Sequence, residues 1–312
     1  MKKIVVLDSY TLTGDDLSWD ELRKIADVTI YDRTLPEETI SRCEGMDMVL
    51  TNKVVIDDAI MEQLPQMRYI GILATGMNVV DLKAANRRGI VVTNIPAYSA
   101  ASVAQMVFAH LLNIAQRVDH YSREVHAGKW AENADFSFRD TPLIELFGKT
   151  IGLVGLGNTG MATAQIANAL GMRVITVTTK RDLPEWIESV TKEEMFRRAD
   201  VVSLHCPLVP ETEKIINAET LGMMKSSAIV INCGRGGLVD EDALAEALNG
   251  GKIMAAGIDV MRQEPPRGGS PLIGCRNCFI TPHIAWATKE ARGRLMEIAV
   301  ENCRKFLGMD RG

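Results

Sequence analysis

Short apolar runs rich in β-branched residues recur along the chain. They alternate with stretches whose apolar positions repeat every three to four residues. Residues 4–7, 28–31, 48–50, 68–73 and 90–93 read as strands. Residues 18–26, 36–43, 57–64 and 82–88 read as the intervening helices. A Ser18-x-x-Glu21 capping box opens the first helix, Pro36 sits at a permitted first-turn position, and Pro65 and Gly89 stop the last two. This alternation predicts a parallel sheet with helices on both faces. A second capping box, Ser102-x-x-Gln105, opens the longest helical pattern, carried by Val103, Met106, Val107, Leu111, Ile114, Ala115 and Val118. A helix of that length suits a domain junction or a subunit interface. Residues 129–147 are irregular and carry Trp130, Phe136, Phe138 and Phe147, and so long a loop is as a rule functional or packed on a partner. The alternation then restarts, with strands at 151–154, 173–178, 201–204, 228–231, 254–260 and 278–281 and helices at 159–170, 191–197, 217–223 and 240–249. Asp240 is a good N-cap and Gly250 a good stop for the last of these. Residues 286–307 form a closing amphipathic helix, expected to pack back on the first domain.

One stretch carries a chemical signature. After strand 151–154 come Gly155, Gly157 and Gly160 at G-x-G-x-x-G spacing, then a helical pattern, then a second β-branched run. That is the order of a dinucleotide-binding βαβ unit. Gly155 allows the tight turn, Gly157 lets the backbone approach a pyrophosphate, and Gly160 lets helix and strand pack closely. The helix N-terminus offers unpaired N–H groups to the phosphates. The acidic residue expected at the end of the second strand, to hold a ribose 2′-hydroxyl, is missing; the run is Val177-Thr178-Thr179-Lys180-Arg181. Without that carboxylate a 2′-phosphate meets no repulsion and Lys180 or Arg181 can pair with it. The cofactor is therefore NAD or NADP, with a lean towards tolerance of NADP.

In open α/β sheets, ligands collect at the carboxyl ends of the strands. Arg235, Glu264 and His283 each fall in a loop that follows a strand of the second domain. Arg235 presents a planar fork for a carboxylate. His283 can give a proton to a carbonyl oxygen or take one from a hydroxyl. Glu264 can accept from the other imidazole nitrogen, fixing the tautomer and raising basicity. His110, His120 and His126 lie on or just after the long helix and read as interface or surface residues, whereas His205 sits at a strand end, where it either touches the cofactor or does not.

Composition narrows the classes. The chain has 312 residues, 46% hydrophobic and 24% charged, with a net charge of −5. That length suggests two domains. The acidic balance gives no reason to expect nucleic-acid or anionic-membrane binding. The apolar run after Lys2 and Lys3 is too short for a signal sequence, and no run approaches transmembrane length. Six scattered cysteines point to a reducing cytoplasm. Cys275-x-x-Cys278 lacks a second metal-ligand pair at matching spacing, so no metal site is expected.

The matching of particular segments goes further. Ala74-Thr75-Gly76, GLGNTG at 155–160, HCPL at 205–208, NCGRGGLVD at 232–240, Glu264-Pro265 and TPHIAWAT at 281–288 resemble the D-isomer-specific 2-hydroxyacid dehydrogenases, in that family's order and over nearly the whole chain. The resemblance implies that Arg235, Glu264 and His283 are catalytic. It implies that Thr75, Gly76 and Met77 bind the substrate carboxylate through their backbone amides, with Arg235 and His283 also touching substrate. It puts Asn158 and Thr159 at the cofactor pyrophosphate, with Thr178, Thr179 and Lys180 at the ribose. Cys206, Pro207 and Thr212 then lie along the adenosine side, and Cys233, Gly234 and Asp259 at the nicotinamide end. Ser102-Val-Ala-Gln105, the stretch 135–138 and the Ala-Trp-Ala-Thr after His283 resemble the glycerate dehydrogenase, or hydroxypyruvate reductase, branch.

The fold expected is α/β: two doubly wound parallel-sheet domains, with a Rossmann nucleotide-binding domain (102–284) inserted in a flavodoxin-like substrate domain (1–101 plus 285–312). The expected activity is NAD(P)H-dependent reduction of a short 2-oxo acid, hydroxypyruvate or glyoxylate, by a homodimer joined through the nucleotide-binding domain. Two alternatives stay open: a non-catalytic dinucleotide sensor of the corepressor kind, and a D-3-phosphoglycerate dehydrogenase.

Overall fold

A computed structural model describes residues 2–14 and 16–309. The chain divides into two compact units. One runs to Ser99 and resumes at Ala287; the other spans Ala100–Trp286.

The first unit is built on five parallel strands, β1 (Lys3–Val6), β2 (Asp27–Ile30), β3 (Met48–Thr51), β4 (Tyr69–Ile72) and β5 (Val91–Thr93), in the order β2-β1-β3-β4-β5. All four positions of β3 and of β4 are buried, as a strand covered on both faces requires. Helices Asp58–Glu62 and Leu82–Arg87 start where Asp57 and Asp81 accept from Ile60 N and Ala84 N, each at 2.9 Å. The helix Lys289–Phe306 belongs to this unit, capped by Thr288. It packs on β4, with the Phe306 ring 4.9 Å from that of Tyr69.

The second unit holds seven parallel strands: β6 (Thr150–Val154), β7 (Arg173–Val177), β8 (Ile187–Ser189), β9 (Val201–Leu204), β10 (Ile229–Asn232), β11 (Ala255–Ile258) and β12 (Cys278–Ile280). Their order is β12-β11-β10-β9-β6-β7-β8, so the winding reverses between β6 and β9. Alternating strand residues feed two cores. Val202, Leu204 and Val230 join Phe196, Leu221 and Leu244 on one side. Val201, Ile229 and Ile231 meet Val107, Leu111 and Ile114 of helix Ala100–Gln116 on the other.

Several sequence expectations need correction. Neither Ser18 nor Ser102 caps a helix. Trp19 is the N-cap of helix Asp20–Arg23, its indole N–H drawn inward to Ser9 Oγ at 2.7 Å, while Ser18 bonds the Asp20 side chain. Ser102 lies inside a helix that starts at Ala100, and its hydroxyl donates to Ala285 O at 2.5 Å. The long helix breaks at Arg117, whose φ is +52°. There the guanidinium leaves the helix axis to bond Asn277 Oδ1 at 2.9 Å and to cover the Phe279 ring on β12. A separate helix, Val118–His126, follows. The edge strand β8 escaped notice because only Ile187 of its three residues is buried. Residues 36–43 form a 3₁₀ turn, Pro36–Glu38, running into helix Thr39–Cys43. Cys275 donates its thiol to Pro271 O at 2.9 Å, and among the described residues all six cysteines are unbridged. No helix among the described residues is long and apolar enough to cross a membrane.

Candidate active site at the carboxyl edge of the second sheet

Strand order decides which loops meet. β10, β11 and β12 are neighbours, and strands pair about 4.8 Å apart. Arg235 follows β10, Glu264 follows β11 and His283 follows β12. Each side chain is carried by a separate loop. Asn232, fully buried at the end of β10, donates Nδ2 to Arg235 O at 2.9 Å and accepts from Gly234 N at 3.1 Å. A Cβ on Gly236 would fall 2.0 Å from the Met261 carbonyl, so the β10 loop is pressed onto the β11 loop. The Arg235 side chain stays exposed, with Nη1 donating to Gly234 O at 2.8 Å.

Glu264 uses both carboxylate oxygens. Oε1 accepts from Met261 N at 2.9 Å, and Oε2 lies 2.5 Å from His283 Nδ1. The pairing puts a proton on Nδ1 and turns Nε2 away from Glu264. His283 itself has a φ of +55°, a left-handed conformation that a non-glycine residue adopts only when its surroundings hold it there. Here the holder is Asp259, only 2% exposed. Its backbone oxygen accepts from His283 N at 2.8 Å. Its carboxylate accepts from Thr281 Oγ1 at 2.6 Å and from Ile284 N and Ala285 N, both at 2.9 Å.

The glycine-rich turn stands across β9 from this cluster. Gly155 has a φ of +93°, and a Cβ there would meet His205 O and Cys206 N at 2.9 Å. A Cβ on Gly160 would lie 2.4 Å from Gly155 O. Gly157, the N-cap of helix Asn158–Ala169, has nothing within 4 Å of where a Cβ would be. Two glycines thus close the turn on itself while the third leaves open space above the helix N-terminus. This shape, with the first-turn N–H groups that a helix leaves without intrahelical acceptors, fits a cofactor pyrophosphate. Asn158 is exposed there and Thr159 half-buried.

The other residues singled out from the sequence lie as follows. Thr178 directly follows β7 and accepts from Lys180 N at 3.3 Å, and Thr179 and Lys180 are exposed. Neither Lys180 nor Arg181 has a carboxylate partner among the described residues. Thr212 closes its own loop, donating to Pro207 O at 2.7 Å and accepting from Val209 N at 2.9 Å. Burial pushes the thiols of Cys206 and Cys233 upward, so both are protonated and serve as wall rather than nucleophile. In the first unit, Thr75, Gly76 and Met77 follow β4. Thr75 is tied by its hydroxyl to Ile95 O at 2.9 Å and by its carbonyl to Asn94 Nδ2 at 2.8 Å. The amide N–H groups of all three have no protein acceptor among the described residues.

The histidines sort differently from expectation. His110 is not a surface residue: it is 5% exposed and its Nε2 lies 3.0 Å from Thr281 Oγ1. It sits on the same apolar face as Val107, Leu111 and Ile114, and a polar residue on that stripe was the available signal. His120 does lie at the surface, bonded to Asp140 at 2.9 Å, and His126 is exposed. His205 bonds Ser203 Oγ at 2.9 Å, and desolvation pushes its pKa down to about 4. Sequence reasoning also missed the loop-fastening roles of Asn232, Thr281 and Ser102.

Comparison with known proteins gives a consistent picture. Residues 108–285 match the model of the D-isomer specific 2-hydroxyacid dehydrogenase NAD binding domain. A hydroxypyruvate reductase of Blautia hydrogenotrophica is 48% identical, over 98% of this chain and 97% of that protein. A glycerate dehydrogenase of Methylorubrum extorquens is 38% identical, over 98% and 96% respectively. The crystal structure of the TT0316 protein from Thermus thermophilus superposes with a TM-score of 0.88 at 37% identity, covering 98% of this chain and 97% of that one.

Two outcomes are expected from this geometry. Gly157→Ala adds a methyl group into open space, so the melting temperature should hold while the Kd for NADH or NADPH, read by fluorescence, weakens by roughly tenfold or more. Equal binding would mean that no phosphate approaches this turn. The second outcome concerns pH. The unfolded chain protonates His205 near its ordinary pKa of 6.5, the folded one only near 4. Between those values the unfolded state holds the extra proton, so stability falls as the pH drops from 6.5 towards 4 and levels off below. In urea unfolding, His205→Gln should remove up to about 1.4 kcal/mol per pH unit of that slope.

Proposed function

The chain belongs to the D-isomer-specific 2-hydroxyacid dehydrogenases, and we propose that within this family it reduces hydroxypyruvate or glyoxylate to D-glycerate or glycolate with NADH or NADPH. The observation that carries this reading is the Glu264–His283 pair, 2.5 Å apart, formed across the loops that follow β11 and β12, beside the loop of Arg235. An imidazole tied at Nδ1 to a carboxylate, free to carry and give a proton at Nε2, beside a carboxylate-binding fork, is what reduction of a 2-oxo acid requires. When bound, the nicotinamide supplies the hydride to the carbonyl carbon. His283 gives the proton from Nε2 to the carbonyl oxygen, while Glu264 keeps the other nitrogen protonated and the ring aligned. Arg235 holds the substrate carboxylate and polarises the neighbouring carbonyl. In the first unit, the amides of Thr75, Gly76 and Met77, without a protein acceptor among the described residues, are the groups that the family resemblance assigns to binding a substrate carboxylate.

The second unit is the nucleotide-binding domain on this reading, and the first the substrate domain. Gly155, Gly157, Gly160, Asn158 and Thr159 take the pyrophosphate. Cys206, Pro207 and Thr212 line the adenosine, and Cys233, Gly234 and Asp259 the nicotinamide end. At the ribose, Thr178 stands where a carboxylate would select NAD. Lys180 and Arg181, exposed and without a carboxylate partner among the described residues, favour acceptance of a 2′-phosphate, hence NADPH. A homodimer is supported by apolar Leu112 and Val118, 42% and 69% exposed, in one groove of helices Ala100–Gln116 and Val118–His126. Free thiols at all six cysteines agree with residence in the cytoplasm. The intact Glu264–His283 pair leaves nothing that favours a non-catalytic sensor.

The test is a steady-state panel of hydroxypyruvate, glyoxylate and 3-phosphohydroxypyruvate with each reduced cofactor. Turnover is expected with one of the first two, at a lower KM for NADPH than a strict NAD enzyme would show. In His283→Ala, kcat should fall on the order of 10³-fold with cofactor binding kept. No turnover of any 2-oxo acid, or near-normal turnover in the variant, refutes the reading. For the dimer, sedimentation of Val118→Glu should show a shift to monomer; a wild-type monomer at micromolar concentration would exclude it.

A further inference from the structure

His110 is buried in the second unit and has no part in the chemistry above. It nonetheless ends a chain of hydrogen bonds that leads to the catalytic turn. Thr281 Oγ1 donates to Asp259 Oδ1 at 2.6 Å, which uses its only proton. The contact of 3.0 Å with His110 Nε2 must then run the other way, from the imidazole N–H to the hydroxyl oxygen. His110 is thus the Nε2–H tautomer. Desolvation lowers its pKa and so favours the neutral ring, outweighing the opposing pull of Asp259.

Space for the ring is built into the sheet. Gly257 lies in the middle of β11, and a Cβ there would fall 2.7 Å from His110 Cβ and 2.8 Å from Cγ. The imidazole therefore rests on the backbone of the strand that Asp259 directly follows. The same helix reaches the other end of the turn, where Ser102 donates to Ala285 O. One rigid helix, Ala100–Gln116, grips residues 281 and 285 on either side of His283, whose left-handed φ of +55° needs such support.

We propose that His110 is a positioning residue for the reaction: through the Thr281 hydroxyl and the Asp259 carboxylate it holds the turn that aims His283. The role in turnover rests on the proposed assignment of His283 as the acid, but the alignment itself can be read without substrate. The experiment compares wild type with His110→Leu, which keeps the bulk and removes the donor, and His110→Gln, whose amide N–H replaces Nε2–H. Imidazole ¹H–¹⁵N spectra of the protein without substrate should show His110 as the Nε2–H tautomer at neutral pH. The His283 signals should shift in His110→Leu and return in His110→Gln. With hydroxypyruvate or glyoxylate, kcat should drop at least tenfold in His110→Leu and recover to within threefold in His110→Gln, with KM and cofactor Kd within twofold throughout.

If His110→Leu fails to fold, Thr281→Val removes the hydroxyl in its place and should shift His283 in the same way. A His110 found as the Nδ1–H tautomer, or His283 signals unmoved in a folded His110→Leu, overturns the inference. Wild type that reduces no 2-oxo acid overturns the assigned reaction instead, while the spectra still decide the alignment.

Discussion

Asp259 is a carboxylate almost without water, and the geometry of the second unit's loops depends on how its charge is met. Burying an ionised carboxylate is costly unless donors converge on it. Three do: the Thr281 hydroxyl and the amides of Ile284 and Ala285. All come from the segment just past β12, so satisfying one charge just past β11 fastens the neighbouring strand's loop and with it His283. The strain of a left-handed histidine is sustained because that same residue's carbonyl accepts the His283 amide. Removing any one donor would leave a buried charge short of a partner, which is why the arrangement behaves as a unit.

Around this anchor the parallel sheet does the sorting. Because β10, β11 and β12 are consecutive, an arginine, a glutamate and a histidine from three distant stretches come to one edge. Because the winding reverses between β6 and β9, the glycine turn opens at that same edge. The close packing of Gly155 on residues 205 and 206 ties the phosphate turn to β9, leaving Gly157 the exposed member. The His283 loop and the glycine turn are thus brought to one side by topology, with no need for long flexible loops.

Much of this was legible along the chain. The strands of both sheets other than β8 followed from apolar runs, since a strand buried on both faces needs little else to declare it. The glycine spacing and the loops bearing Arg235, Glu264 and His283 were visible because each is local to a strand end. Local signals misled where a contact from elsewhere overrode them. Ser18-x-x-Glu21 and Ser102-x-x-Gln105 both have the spacing of a cap, yet Trp19 is pulled towards Ser9 and Ser102 towards Ala285. Arg117 breaks a helical pattern that propensity would continue, for the sake of Asn277 and Phe279.

What the amino-acid sequence determined by itself was therefore the element rhythm, the dinucleotide turn and the types of residue offered at each strand end. These depend on neighbours within a few positions, where side-chain period and backbone preference act directly. The tertiary structure alone decided that Asp259 is the anchor, that Asn232 clasps the Arg235 loop and that His110 lies inward against Gly257. The His110–Thr281 and Ser102–Ala285 bonds join residues 171 and 183 positions apart, a separation at which no local pattern carries information. Their geometry exists only once the helix has docked on the sheet, and burial then makes each polar group find the partner that happens to be there.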